Sequence, residues 1–177
     1  MEVKNIFVVG AGLMGSGIAQ TAIVSGFKVT LNDQRVEALD RAHDGIAKNL
    51  NREVEKGRMS QEDCDAAIAR LSTSASMQPA KDADLVIEAI FENLDAKQSV
   101  FKQLEEICPP HTIFASNTSS ISLTSLAAAT KRPSQVVGMH FFSPVPKMKL
   151  CEVIFGLLTA QDVLEEIQHV GKKMGKT

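Results

Sequence analysis

Short apolar runs alternate along the chain with segments whose apolar positions recur at helical spacing, a rhythm that predicts βαβ units around a mainly parallel sheet. Ile6 to Val9 is apolar at every position, as a strand covered on both faces requires, so it belongs at the centre. Leu13, Met14, Ile18, Ala22 and Ile23 share one helix face up to Ser25, and Gly26 stands where a left-handed cap belongs. Lys28 to Asn32 predicts a second strand, ending at Asp33. The stretch from 34 to 70 is too long for one ordinary crossover helix and divides into two. Val36, Leu39, Ile46, Leu50 and Val54 mark the first, while Ser60 and Asp63 cap a second that carries Cys64, Ala67, Ile68 and Leu71. This helix-turn-helix pair is expected to project as an inserted arm.

Beyond it the pattern predicts strands at Leu71 to Ala75, Asp84 to Phe91, and Thr112 to Ser116, with a helix from Asp95 to Cys108 stopped by Pro109 and Pro110. A short helix follows near Leu123 to Ala129, then a strand from Gln135 to Phe142. The connection to the next apolar run, Leu150 to Phe155, is too short for a parallel crossover, so that run is an antiparallel edge strand. Thr159 and Asp162 are read as caps of a last helix bearing Val163, Ile167, Val170 and Met174, with Gly175 as its terminator. The fold class is therefore α/β, doubly wound. A chain that halts two residues after a helix cap is expected to be part of a longer one.

Composition narrows the setting. The 177 residues are 44% hydrophobic and 23% charged, with 19 Lys and Arg against 21 Asp and Glu for a net charge of −2. At about 150 residues per domain this is one domain, able to bury roughly 70% of its unfolded surface without staples. The near-neutral balance, the lack of Trp and Tyr and the lack of a basic cluster beyond Lys172 and Lys173 argue against nucleic acid as a partner. No run approaches the ~18 apolar residues of a membrane span, and Met1 to Asn5 leads straight into a strand with no room for a secretion leader. Cys64, Cys108 and Cys151 are odd in number and widely spaced, with no metal-ligand spacing, so they are expected as reduced thiols in a cytoplasmic compartment.

The first strand runs into Gly10-Ala11-Gly12-Leu13-Met14-Gly15, which opens a helix and is followed at the end of the second strand by Asp33. In that context the glycines point to a dinucleotide. Gly10 allows the tight turn, Gly12 lets a pyrophosphate approach the N–H groups at the helix start, and Gly15 lets helix and strand pack closely. Asp33 can accept hydrogen bonds from ribose hydroxyls and would repel a 2′-phosphate, favouring NAD, while Arg35 keeps NADP as an alternative.

Ligands of such a sheet bind beyond the carboxyl ends of the strands, and Asp33, Glu92, Asn117 with Ser119, and His140 all fall at those ends. His140 interrupts an otherwise buried strand. If Phe142 pairs with Leu150 across the connection, Glu152 stands opposite His140, within reach of the imidazole. A carboxylate there fixes the tautomer, as a general base needs; the competing reading is a structural ion pair.

Four segments, Gly10 to Gly15, Glu88 to Leu94, Ser116-Asn117-Thr118-Ser119-Ser120 and His140 to Glu152, resemble the 3-hydroxyacyl-CoA dehydrogenases, closest to the bacterial 3-hydroxybutyryl-CoA members, along the whole chain. The resemblance implies a Rossmann-type NAD-binding domain over 1–177, with an arm at about 34–70 and an all-helical dimerisation and substrate domain that would follow. It implies reversible hydride transfer between NAD and C3 of a short-chain 3-hydroxyacyl-CoA, in fatty-acid or butanoate metabolism. By the same resemblance His140 is the base, Glu152 its orienting partner, Ser119 the holder of the substrate hydroxyl, and Asn117 a residue near the nicotinamide. Glu92, Lys97 and Ser143 match cofactor contacts, Ser143 standing where many members have Asn. Lys56 and Asn49 match coenzyme A contacts. On the residues alone, Glu92 and Lys97 read as solvated charges, and Glu88 as a structural hydrogen-bonding group. A nucleotide-binding module without catalytic competence and another NAD-dependent hydroxyacid dehydrogenase remain the alternatives.

Overall fold

In the computed structural model, described for residues 1–118 and 121–177, β1 (Asn5–Val9) lies between β2 (Lys28–Asn32) and β4 (Leu85–Glu88), parallel to both. β3 (Leu71–Ser74) extends the sheet beyond β2, and β5 (Ile113–Ser116) and β6 (Val136–Phe141) extend it beyond β4, all parallel. β7 (Cys151–Phe155) closes the far edge, antiparallel to β6. Among the described residues the order is β3-β2-β1-β4-β5-β6-β7, so the chain reverses direction across the sheet between β1 and β4. Sheets of this kind bind ligands beyond the carboxyl ends of the strands at such a reversal.

The continuous apolar strands follow from burial on both faces. Ile6 and Val8 point to the side covered by α1 (Leu13–Val24), α2 (Val36–Glu55), α3 (Gln61–Ala69) and α6 (Gln161–Lys173). Phe7 and Val9 point to the other side, against Phe101 and Leu104 of α4 (Leu94–Glu105) and Leu126 of α5 (Leu123–Ala127). The inner strands β1, β4, β5 and β6 thus send alternate residues into two cores.

Several expected boundaries move. The strand expected from Asp84 to Phe91 ends at Glu88, and Phe91 is exposed. α4 begins one residue before the expected Asp95, because the Asn93 side chain accepts a hydrogen bond from the Ala96 amide and caps it. Ser60 caps α3 as anticipated, accepting from the Asp63 amide. Thr159 does not cap α6. Its hydroxyl donates to Val136 O at 2.8 Å and accepts from the Gly156 amide, while Ala160 takes the cap position with no side-chain bond.

The helical pair does not stand clear of the body along its length. Leu39, Ile46, Leu50, Cys64 and Ala67 join the same core as α1, and Asn49 donates to the buried Gln20. The polar faces of both helices are exposed, as is the tip around Lys56 and Arg58.

α1 starts immediately after β1 because the chain crosses itself there. Gly10 has φ of +104°, and a side-chain carbon on it would come 2.6 Å from Ala89 O. Gly15 is tighter: its Cβ would stand 1.6 Å from Gly10 O and 3.6 Å from Val8 Cγ1. The clash is therefore with the turn's own carbonyl more than with the strand. The Gly15→Ala substitution is expected to destabilise the fold by ~3 kcal/mol or more, read as a lower urea midpoint, because backbone on both sides must give. A midpoint within experimental error of the parent would show that α1 can slide without cost.

Candidate active site

The carboxyl ends of β1, β2, β4, β5 and β6 bring the expected polar residues to one edge of the sheet, and the hydrogen bonds among them show how each is held. At the glycine turn, Gly12 is the N-cap of α1, with no side chain capping it and no acidic residue in the first turn. A Cβ on Gly12 would meet nothing within 4 Å. The helix start therefore offers its N–H groups and the positive end of its dipole to open space, the arrangement a diphosphate fits. Ala11 is buried behind this turn, whereas Leu13 is exposed. Met14 packs against the core from a half-buried position.

Asp33 is tied to the same turn. Its Oδ2 accepts from the Ala11 amide at 3.0 Å, and its Oδ1 accepts from the Arg35 amide and, at 3.4 Å, from Arg35 Nε. Burial alone would raise this carboxyl, but the accepted N–H bonds and the Arg35 charge together hold it below its ordinary value. Asp33 is thus an anion at neutral pH that braces the glycine turn from the end of β2. Arg35 is engaged with it from a largely exposed position.

On the other side of β1, the structure corrects the reading of Lys97 as a solvated charge. Lys97 is fully buried, with Nζ 2.6 Å from Glu88 Oε2, 3.0 Å from Glu92 Oε1 and 3.3 Å from Ile90 O. Glu88 is buried too and also accepts from Ser116 Oγ at 2.5 Å and from the Ile90 amide at 2.8 Å. Glu92 reaches in from the surface and accepts from Thr118 Oγ1 at 2.7 Å. A carboxylate ending the apolar strand Leu85-Val86-Ile87 was the signal for this cluster: a charge covered on both faces needs a buried counterion, and Lys97 supplies it from the first turns of α4.

Asn117, just past the end of β5, ties β4 to β6: its backbone N–H donates to Glu88 O at 2.9 Å, and its side-chain Oδ1 accepts from the Phe141 amide at 2.8 Å. Ser119 and Ser120 lie outside the described residues.

At the end of β6, Glu152 stands opposite His140 in the antiparallel register, and Phe141 opposite Cys151. The strands stop one pair short of the expected Phe142–Leu150 closure, but the numbering of the facing residues is unchanged. His140 Nδ1 is 3.1 Å from Glu152 Oε1, and its ring lies 4.5 Å from that of Phe142. An ionised carboxylate only accepts, so Nδ1 carries the proton of this bond, and in the neutral ring Nε2 keeps its lone pair. The His140 side chain is 20% exposed, covered yet reachable.

Ser143, in a cis peptide with Pro144, is exposed at the start of the connection. That connection is pinned from behind by Lys176, whose Nζ donates to Val145 O and Met148 O, both at 2.6 Å. Neither Lys176 nor Thr118 was marked by the pattern of the chain. Lys56 is exposed at the C-cap of α2, and Asn49 is occupied with Gln20, so both lie on the helical pair.

A doubly wound sheet that carries a glycine turn and an imidazole–carboxylate couple at the same strand ends is the architecture of a dinucleotide-binding dehydrogenase domain. Residues 5–177 match the family model described as 3-hydroxyacyl-CoA dehydrogenase, NAD binding domain, and the chain belongs to that family. It is 50% identical over its whole length to a probable 3-hydroxybutyryl-CoA dehydrogenase of Bacillus subtilis (strain 168), covering 62% of that protein. It is 45% identical to the 3-hydroxyadipyl-CoA dehydrogenase of Escherichia coli (strain K12), covering 99% of this chain and 37% of that one. The crystal structure of 3-hydroxybutyryl-CoA dehydrogenase from Escherichia coli K12 superposes with a TM-score of 0.98 at 45% identity, over all of this chain and 38% of that one. The chain thus spans less than two thirds of the length of these relatives.

Replacing Lys97 by Met strands the Glu88 carboxylate in the core. The substitution is expected to cost ~3–5 kcal/mol of stability, read from urea unfolding, far more than loss of a surface ion pair. A cost below ~1 kcal/mol would mean that the buried pair is not formed.

Proposed function

We propose that the chain is the NAD-binding part of a 3-hydroxyacyl-CoA dehydrogenase and carries the proton-transfer couple of the reaction. The observation that carries the reading is the 3.1 Å contact of His140 Nδ1 with Glu152 at the edge that also presents the glycine turn. NAD is proposed to lie with its diphosphate on the N–H groups from Gly12 to Gly15, the Ala11 amide being given to Asp33, and its adenosine ribose toward Asp33. Glu92, Lys97, Asn117, Ser119 and Ser143 are proposed around the rest of it. When bound, NAD supplies the carbon that takes up hydride from C3 of the substrate.

The protein's own residues handle the accompanying proton. Nε2 of His140 accepts the proton of the C3 hydroxyl as the C–H pair departs, so the alcohol becomes a ketone with no other bond broken. Glu152 holds the ring by Nδ1 and stabilises the imidazolium that results. Ser119 is proposed to hold the substrate oxygen. In reduction the same Nε2 returns the proton. Lys56, exposed on the arm tip, suits the phosphates of coenzyme A, and Asn49 lies about two turns before it on α2.

The substrate class proposed is a short-chain 3-hydroxyacyl-CoA, with 3-hydroxybutyryl-CoA and acetoacetyl-CoA as the couple. A following all-helical domain is proposed to complete the substrate site and to dimerise the whole protein. The free and buried thiols of Cys64, Cys108 and Cys151 fit a cytoplasmic setting.

Titrating NADH against the 177-residue chain is expected to give saturable fluorescence enhancement. In the protein extended by its following domain, His140→Ala or Glu152→Gln is expected to lower acetoacetyl-CoA reduction by ~10²–10⁴ with NADH binding retained. Intact turnover with lost cofactor binding would reverse the assignment. Binding without turnover in the bare chain, and turnover in the extended one, would mark this part as a binder dependent on its second domain.

Asp33→Ala is expected to weaken NADH binding and narrow the preference over NADPH, since it removes both the ribose acceptor and the charge that repels a 2′-phosphate. An unchanged ratio of the two dissociation constants would remove Asp33 from the cofactor site.

A further inference from the structure

The proposed chemistry makes no use of Glu88, yet this carboxylate sits fully buried at the end of β4 with every oxygen engaged. We infer that Glu88 is a positioning residue, which acts through Lys97 and Glu92 to hold the Thr118 hydroxyl, and with it the Ile121 amide, beyond the carboxyl end of β5. Only the identity of the ligand in this inference rests on the dehydrogenase reading.

Donor and acceptor counts give the chain its direction. Glu88 can only accept, and it takes the Ser116 hydroxyl on Oε1 and the Ile90 amide and Lys97 ammonium on Oε2. Lys97 has three protons, and Glu88, Glu92 and Ile90 O stand around them. One carboxylate would be enough to neutralise a buried ammonium. The second, Glu92, comes from a residue whose side chain is 41% exposed, and its contact with Lys97 ties that partly exposed carboxylate to the buried pair. With Oε1 on Lys97, Glu92 turns Oε2 to the Thr118 hydroxyl proton at 2.7 Å. Thr118 Oγ1, having given its proton to Glu92, presents a lone pair that the Ile121 amide meets at 3.1 Å. The orientation of that hydroxyl is thus set from the buried end. Ser116, whose hydroxyl anchors Glu88, and Asn117, which bridges to Phe141 beside His140, belong to the same strand end, so the cluster and the couple share a frame.

The test reads the far end of the chain of bonds and the ligand separately, in the 177-residue protein. In Glu88→Gln, hydrogen exchange of the Ile121 amide is expected to quicken about fivefold beyond any change at Val8, whose rate reports global opening, the loss of one ordinary hydrogen bond's protection. The NADH dissociation constant is expected to rise about fivefold. Thr118→Val cuts the same path further out, so the double variant should bind NADH no more weakly than the worse single one. Unaltered Ile121 exchange in a folded Glu88→Gln, or full additivity of the two effects on NADH binding, would overturn the inference. Should Glu88→Gln not fold, Ser116→Ala loosens the same carboxylate with the core intact, and unaltered Ile121 exchange there overturns it equally. A parent chain that fails to bind NADH would count against the dehydrogenase reading alone, with the exchange result still deciding the role of Glu88.

Discussion

The close crossing of Gly10 and Gly15 is the constraint on which the site depends. A carbonyl oxygen occupies the space where any side chain on Gly15 would begin, and this is what lets α1 start directly over the end of β1. A helix begun farther away would aim its free N–H groups elsewhere and leave the dipole's positive end away from the strand ends. Asp33 then reinforces the arrangement from the neighbouring strand by taking the Ala11 amide, so the turn is held by sterics on one side and charge on the other.

Across the sheet reversal the restraint is electrostatic. Glu88 and Lys97 form a pair that water does not reach, and such pairs add little net stability while fixing geometry narrowly, since any misplacement leaves a charge unpaired in the core. The ends of β4 and β5 are thereby tied to the first turns of α4, and Asn117 carries the tie to β6 through Phe141. The two sides of the reversal thus use different means to the same end: close backbone approach at β1, buried charge at β4.

Much of this was legible in the chain. Ile6 to Val9 announced a central strand by being apolar throughout, and the short connection after Phe142 announced an antiparallel partner and so the facing of His140 and Glu152. The glycine positions named the turn. Three things were not legible, each because a local signal lost to a tertiary one. Lys97 looks like any surface lysine of an amphipathic helix until Glu88 is known to lie beneath it. The pair α2 and α3 reads as a free arm until α1 is seen to accept its apolar face. Thr159 resembles a helix cap in pattern, but the backbone of Val136 and Gly156 claims its hydroxyl first.

The facing of His140 and Glu152 across two antiparallel strands has a corollary for the exposed segment between them. Side chains along a strand alternate sides, so one residue inserted or deleted there, if absorbed by sliding the strands, would turn the carboxylate to the opposite side of the sheet from the imidazole. The loop's composition is open to variation at its exposed positions, whereas its parity is not. Lys176, gripping two of its carbonyls from the end of the last helix, acts as the peg that keeps the count.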